Sequence, residues 1–348
     1  MGRSGNRKNR SFYSLINFHP QHLLGFVALI VFIGSCSNPT PPDTQPTVPP
    51  PSKVENKIPA PDFNADSAYA FVKQQVDFGP RVPGTKAHAK CADYLIGKLK
   101  SYGLVAQMQS GTVQTYDQKQ FKLKNVIGSY KPELTERILL CSHWDTRPIS
   151  EADTKDADKP SDGASDGASG VGVLLEVARA LQAANPGIGV DIIFFDLEDY
   201  GENGGNAVES WCLGSQYWKD NLHVAGYTAR FGILLDMVGA GNATFPKEAN
   251  SVRFASGVVD KVWNIAANLG YAGTFLNETI SFVGIDDHIE VEKAGVPCID
   301  IIQYDKSIES FPAYHHTHQD NMSIIDKKTI KAVGQTLLEV IYNEPLKN

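Results

Sequence analysis

Apolar residues recur along most of the chain in two distinct spacings. Within residues 66–77 and 86–101 they return every three or four positions, which is typical of helices with one buried face. Continuous apolar runs such as residues 190–196 ("VDIIFFD") instead indicate strands that are buried on both faces. The same criteria predict further strands at 123–130, 136–142, 231–239 and 297–303, and further helices at 169–185, 258–269, 287–294 and 326–342.

This alternation of strands and helices predicts the α/β class. We expect a three-layer sandwich, in which helices flank a mostly parallel, mixed central sheet. In such folds ligands bind where the parallel strands end, at the carboxyl edge of the sheet. The polar residues that follow each predicted strand are therefore the first candidates for a functional site.

The first 36 residues do not follow this pattern. Four basic residues precede an apolar stretch at residues 23–33, which is too short to span a membrane comfortably and which leads into Gly34, Ser35 and Cys36. This order resembles a bacterial lipoprotein signal, in which Cys36 is lipidated and becomes the mature N-terminus. An uncleaved anchor helix is the alternative, and both interpretations predict an exported protein attached to a membrane. A lipoprotein would lie on the periplasmic side of the outer membrane or at the cell surface.

Residues 37–61 carry nine of the 20 prolines and almost no apolar bulk, which predicts a disordered, extended tether. Residues 62–348 are long enough to form a single α/β domain with a sizeable core. The formal charge of −7 becomes more negative once the four basic residues leave with the signal segment. We therefore expect no nucleic-acid partner, because phosphate backbones are bound by basic surfaces.

Four cysteines follow Cys36, namely Cys91, Cys141, Cys212 and Cys298. An even number in an exported protein permits disulfides. Cys141 and Cys298, however, lie within predicted strands, where small buried thiols are common. The sequence leaves their pairing open and shows no cysteine spacing typical of a metal site.

Acidic residues and histidines gather where the predicted strands end. Each has an ordinary explanation by itself: a solvated acidic loop, a histidine-rich turn, or, for Asp162, a helix N-cap. Together they would crowd like charges at one edge of the sheet, which is unfavourable without a positive partner. The residues concerned are His143, Asp145, Asp162, Asp166, Glu198, Asp199, Asp236, His315, His316, His318 and Asp320.

A divalent cation would supply that positive partner. Imidazole together with carboxylates favours zinc, whereas a shell of oxygens alone would favour calcium or magnesium. Three protein ligands with an open position would make the metal catalytic.

Eight segments, in order along the chain, resemble the superfamily of zinc aminopeptidases and glutaminyl cyclases. The resemblance covers nearly all of residues 65–345 and implies a zinc aminopeptidase-like fold. The segments are "FGPRVPGT" (78–85), "CSHWDTRP" (141–148), "GASDGASGVGVLLEVAR" (163–179), "FFDLEDYG" (194–201), "GILLDMVGAGNATFP" (232–246), "GIDDH" (284–288), "AGVPCIDII" (294–302) and "HTHQDN" (316–321).

The resemblance also implies roles for individual residues. Asp166, Asp199 and His316 would hold zinc, and Glu198 would be the catalytic acid and base. Asp236 and Asp286 would share protons with Glu198 and orient it, as further catalytic residues. Trp211 and His315 would contact the substrate, while His143 would either bind a second metal or support the first.

Two chemistries are compatible with this residue set. A glutaminyl cyclase binds one zinc per chain and converts the N-terminal Gln of a peptide or protein to pyroglutamate with release of ammonia. A two-zinc aminopeptidase would use His143 and Asp236 for the second zinc, with Asp166 as the bridge. Trp211 and the segment that contains Asp286 favour the cyclase. An inactive, peptide-binding relative is a third possibility, which the presence of Glu198 disfavours.

Three positions depart from the family pattern. Asp199 stands where the family more often has Glu, His315 where animal cyclases have Trp, and Asp300 where they have His. Asp286 or its neighbour Asp287 would also serve as a helix cap. The acidic loop 149–165 gives no indication of what it covers.

Overall fold

A computed structural model describes residues 58–204, 208–281 and 284–346. The predicted signal segment, its Cys36 and nearly all of the predicted tether lie outside the described residues. The strands are β1 (Val105–Gln109), β2 (Thr112–Gln114), β3 (Gln120–Lys122), β4 (Asn125–Tyr130), β5 (Arg137–His143), β6 (Gly189–Phe195), β7 (Gly232–Asp236), β8 (Phe245–Lys247), β9 (Phe275–Thr279) and β10 (Cys298–Ile302). The α-helices are α1 (Ala65–Asp77), α2 (Lys86–Ser101), α3 (Ala168–Ala183), α4 (Leu213–Asp220), α5 (Ala249–Asn268), α6 (Asp287–Lys293) and α7 (Lys327–Tyr342).

Six strands form the central sheet in the order β1-β4-β6-β5-β7-β10. Strands β6, β5, β7 and β10 are parallel to their neighbours, whereas β4 pairs antiparallel with β6 and β1 antiparallel with β4. Every residue of β5 and β6 is buried, as expected for central strands with helices on both faces. The mostly parallel, mixed α/β sheet predicted from the sequence is thus confirmed.

Alternate residues of each central strand point into two separate apolar layers. Leu140 and Ile192 join the larger layer with α1, α2, α3, α5 and α7. Leu139 and Ile193 join the smaller layer, to which α4 contributes Trp218 and α6 contributes Val291. Because both faces of the sheet are covered, the accessible polar groups of the strands are those at the strand ends.

The four cysteines from Cys91 onward are buried free thiols, so the pairing that the sequence left open does not occur among the described residues. Within the same part of the chain, no helix is both long and apolar enough to cross a bilayer.

Candidate active site

The carboxyl ends of the central strands open into one cavity of about 430 Å³. His143 is the last residue of β5, Asp236 is the last residue of β7, and Glu198 and Asp199 follow β6 after a short turn. Asp166 comes from the loop before α3, and His315 and His316 come from the loop after β10. The cavity is lined by Glu151, Ala152, Asp166, Glu198, Asp199, Asn203, Trp211, Asp236, Met237, Ile285, Asp286, Ile302, Phe311, His315 and His316.

The three predicted zinc ligands meet at one wall of this cavity. His316 Nε2 lies 3.2 Å from Asp199 Oδ1 and 4.0 Å from Asp166 Oδ2. His315 lies beside them, since Asp166, His315 and His316 offer ligand atoms that are all within 4.8 Å of one another. Burial and the neighbouring Asp166 charge raise the pKa of Asp199 to about 6. The carboxylates of Asp166 and Asp199 repel each other without a cation, and together with the His316 imidazole they form a donor set that fits zinc.

His143 lies against two of the acidic residues. Its Nε2 is 3.0 Å from Asp166 Oδ1 and 3.2 Å from Asp236 Oδ1, and these three residues form a second group with the spacing of metal ligands. His143 is therefore placed where either of its two predicted roles is feasible. It contacts a candidate ligand directly, and it belongs to a possible second metal site.

Glu198 is held among other acidic groups and a thiol. Its Oε1 accepts a hydrogen bond from Cys212 Sγ at 3.4 Å, and Asp286 completes a group within 4.8 Å. Burial, together with the Asp199 and Asp286 charges, raises the pKa of Glu198 well above its usual range. Burial and the nearby Asp236 charge do the same for the pKa of Asp286. The raised pKa values favour the protonated form of both carboxyl groups.

Asp286 also caps α6, with its Oδ1 accepting from Asp287 N at 2.6 Å. The capping interpretation and the active-site interpretation are thus compatible for this residue. Asp287 instead accepts a hydrogen bond from Ser215 Oγ at 2.5 Å.

The capping expectation for Asp162 is wrong, because α3 begins after Gly167. Gly167 has φ +93°, and a Cβ there would lie 2.7 Å from a backbone oxygen, so the turn into α3 requires glycine.

Aromatic rings form the wall next to the metal ligands. The ring of Trp211 is parallel to that of His316, with an interplanar angle of 6° and centroids 6.0 Å apart. His315 stacks on His316 at 3.7 Å and contacts Phe311 at 4.6 Å. The two predicted substrate-contact residues, Trp211 and His315, therefore both lie in the cavity and both contact a candidate zinc ligand.

Two aspartates, to which the sequence assigned no role, hold the backbone of the ligand-bearing loops. Asp145 accepts from Glu198 N at 3.1 Å and from Asp199 N at 3.3 Å. Asp320 accepts from Ser165 N at 2.7 Å and from Asp166 N at 3.0 Å. Each aspartate is nearly inaccessible to solvent, so both loops are fixed by protein groups.

Three further residues at the site were not singled out from the sequence. Cys212 donates to Glu198, Glu151 contacts His316, and Arg147 binds Glu151. No spacing marks any of them, although Glu151 lies in the acidic loop whose role the sequence left open.

A helix-flanked, mostly parallel sheet with carboxylates and histidines at its strand ends defines the class of zinc-dependent exopeptidases and their relatives. The family model described as peptidase family M28 matches residues 125–341. The chain belongs to this family.

Two curated proteins show the two chemistries of the superfamily. Aminopeptidase YwaD of Bacillus subtilis is 25% identical over 224 residues, which is 63% of this chain but only 44% of that protein. The glutaminyl-peptide cyclotransferase of Drosophila melanogaster is 24% identical over 279 residues, covering 72% of this chain and 73% of that protein. Proteins of both activities are thus found among those similar to this chain.

Solved structures of bacterial proteins are more similar. The glutaminyl cyclase of Bacteroides thetaiotaomicron, bound to N-acetylhistamine, is 52% identical with a TM-score of 0.80, covering 82% of this chain and 100% of that one. The glutaminyl cyclase of Tannerella forsythia is 50% identical with the same TM-score and coverage. A Zn-dependent exopeptidase from Parabacteroides distasonis is 51% identical, again with a TM-score of 0.80 and the same coverage. The resemblance inferred from the eight sequence segments is confirmed.

Proposed function

We propose that this protein is a zinc-dependent glutaminyl cyclase that converts N-terminal Gln of peptides or proteins to pyroglutamate and ammonia. The observation that carries the proposal is its likeness, at 50–52% identity over the whole of each relative, to the two bacterial glutaminyl cyclases. The arrangement of acids and aromatic rings in the cavity supports the same reaction.

In this reaction the substrate's α-amine attacks the carboxamide carbon of its own side chain. A new C–N bond closes the five-membered ring, the bond to the amide nitrogen breaks, and ammonia leaves. Zinc, when bound, would polarise the side-chain carbonyl and stabilise the charge that develops on its oxygen. The protein's own task is to move one proton from the attacking α-amine nitrogen to the departing amide nitrogen.

We assign that proton transfer to Glu198, which lines the cavity. Burial and the neighbouring acids raise its pKa, which favours its taking up the proton that the α-amine gives up. Asp286 lies next to it and also has a raised pKa, so the pair can share a proton while Glu198 is turned towards the substrate. Trp211 and Phe311 supply aromatic surface in the cavity, and such surface excludes the water that would cause deamidation instead.

We infer one zinc per chain, held by Asp166, Asp199 and His316. In this assignment His143 Nε2 hydrogen-bonds to Asp236 and lies 3.0 Å from Asp166 Oδ1, and Asp236 belongs to the proton network of Glu198. A two-zinc aminopeptidase is the second candidate, because His143, Asp166 and Asp236 have the spacing of metal ligands.

The first experiment follows both product and metal. The purified protein is incubated with a peptide that begins Gln-Phe, the product is analysed by mass, and bound zinc is counted per chain. Loss of one ammonia from an intact peptide, with one zinc, supports the cyclase. Release of a free N-terminal residue, with two zincs, would instead identify an aminopeptidase. No turnover with zinc bound would favour a peptide-binding relative.

The variant His143→Ala tests the same choice independently. In a one-zinc cyclase it should leave the zinc content unchanged and reduce turnover only moderately. In a two-zinc peptidase it should remove one metal and most of the activity. The zinc count of the His143→Ala variant therefore distinguishes the cyclase from the peptidase even if turnover falls in either case.

We further propose that the protein is an exported bacterial lipoprotein, attached to the membrane through Cys36 and held away from it by residues 37–61. The support is the order of basic residues, apolar stretch, small residues and cysteine at the N-terminus. The variant Cys36→Ser should lose the lipid and the membrane association. Unchanged partition into the membrane fraction would favour the uncleaved anchor helix.

A further inference from the structure

The acidic loop 149–165 reaches the metal ligands through one of its side chains. We propose that Glu151 and Arg147 act together as positioning residues. Glu151 fixes the ring of His316 with Nε2 towards the metal. Arg147 fixes the positions of Glu151, the Asp199 loop and Trp211 relative to one another. The zinc part of this proposal needs only a metal at His316. Its substrate part rests on the proposed function.

The contact between Glu151 and His316 selects one form of the imidazole. Glu151 Oε1 lies 3.0 Å from His316 Nδ1. A carboxylate only accepts hydrogen bonds, so Nδ1 carries the proton and Nε2 keeps the lone pair that a metal ligand requires. Nε2 is also the atom that faces Asp199, at 3.2 Å. Glu151 thus supplies the partner that orients a metal-binding histidine.

Arg147 holds Glu151 with a forked contact that a lysine would not reproduce. Its Nη2 is 2.7 Å from Glu151 Oε1, and its Nε is 3.1 Å from Oε2. Its Nη1 donates to the backbone oxygens of Asp199 at 3.0 Å and Gly201 at 2.7 Å. Arg147 is 1% exposed, so these contacts are made away from solvent. An ammonium group has no planar fork with which to satisfy all these acceptors.

The same guanidinium also contacts the aromatic wall. Its central carbon lies 4.5 Å from the ring centroid of Trp211, within the range of a cation–π interaction. Trp211, the Asp199 loop and His316 belong to three separate segments of the chain. Arg147 touches the first two and reaches the third through Glu151, so one side chain sets the relative positions of substrate wall and ligands.

The backbone supports this arrangement independently. The backbone N–H of Ala152, the residue after Glu151, donates to the backbone oxygen of His316 at 3.3 Å. The acidic loop is therefore attached to the histidine loop beside its ligand by a main-chain bond as well as by the Glu151 side chain. The acidic loop 149–165 therefore covers the outer side of His316.

The test compares zinc affinity in Glu151→Gln, Arg147→Lys and a matched control, Arg179→Lys. Arg179 forms a similar forked pair with Glu176 on α3, and neither residue lines the cavity. Zinc is removed by titration with a competing chelator, so no substrate is needed. We expect both site variants to bind zinc about 10- to 100-fold more weakly, as for other partners of metal-bound histidines, and the control to match the parent.

Kinetics with saturating zinc then separate the two roles. Glu151→Gln should regain kcat with unchanged KM, because only the metal-bound state was weakened. Arg147→Lys should keep a raised KM, because Trp211 has lost its stacked partner. Unchanged zinc affinity in Glu151→Gln would overturn the proposal, and this variant decides the matter if Arg147→Lys fails to fold. An aminopeptidase product would refute the cyclase while leaving the zinc result intact.

Discussion

Gly201 lies directly beneath the indole of Trp211, and the variant Gly201→Ala should displace that ring. A Cβ built on Gly201 would lie 2.0 Å from Trp211 Cδ2, 2.2 Å from Cε2 and 2.3 Å from Cγ. The φ angle of Gly201 is not positive, so the backbone itself tolerates alanine. The effect of the substitution is therefore purely a collision with the ring.

The size of the displacement follows from these distances. Carbon atoms pack at about 3.5–4.0 Å, so the indole would have to move by roughly 1.5 Å. Trp211 is stacked on Arg147 and lies parallel to His316, and a movement of that size breaks both contacts. Misplacement of about 1 Å in an active site can reduce rate about 100-fold, and overpacking costs about 1–3 kcal/mol of stability. We expect kcat/KM for a Gln peptide to fall by about 10- to 100-fold.

The assay measures kcat/KM for ammonia release together with the melting temperature and zinc content. Gly97→Ala is the matched control, because Gly97 lies inside α2 and its added Cβ would meet nothing within 4 Å. That control should keep full activity and gain about 0.5–1 kcal/mol of stability from the helix propensity of alanine. A Gly201→Ala variant with activity within twofold of the parent would show that Trp211 does not form the substrate wall.

Three further predictions concern other groups. Glu198→Gln should reduce kcat by at least about 10²-fold while zinc content stays unchanged; loss of zinc would instead make Glu198 a ligand. Asp191→Ala leaves the buried guanidinium of Arg137 without its partner, so urea unfolding should show a loss of about 3–5 kcal/mol, and a loss below 1 kcal/mol would contradict this. Burial and the Glu248 charge raise the pKa of Glu292 from 4.5 to about 8, so the folded state loses stability as pH rises across that window because the unfolded chain ionises first. Glu292→Gln should remove that loss, and the gain in melting temperature over the parent should grow from about pH 5 to about pH 8; a gain independent of pH would count against the shift.

The elements that the sequence predicted are those with long apolar patterns. Residues 86–101 coincide with α2, and 190–196 differs from β6 by one residue at each end. Strand β1 was missed because it lies at the edge of the sheet, where its residues are exposed or partly buried and its apolar residues are interrupted by glutamines. Helix α4 was missed because it has eight residues and follows Cys212, which has left-handed backbone and provides no side-chain cap. The predicted helix at 258–269 is the second part of α5, which is interrupted at Ala255.

The residues of the candidate site were likewise predicted only in part from the sequence. His143, Glu198 and Asp236 were found because the carboxyl ends of parallel strands converge, so residues far apart in sequence meet at one edge. Glu151 contacts His316 across 165 positions of the chain, through a loop without regular structure. A contact of that kind leaves no periodic signal, so it becomes visible only once the loop is placed.

The backbone bonds made by Asp145 and Asp320 have a consequence for how the protein acquires its metal. The amides of Glu198, Asp199 and Asp166 are held by carboxylates of the protein, in a setting that a departing cation would leave intact. We therefore expect the fold to form without the metal, unlike that of a zinc finger, whose metal-binding energy is its folding energy. We expect the metal-free protein to be folded already and to take up zinc afterwards.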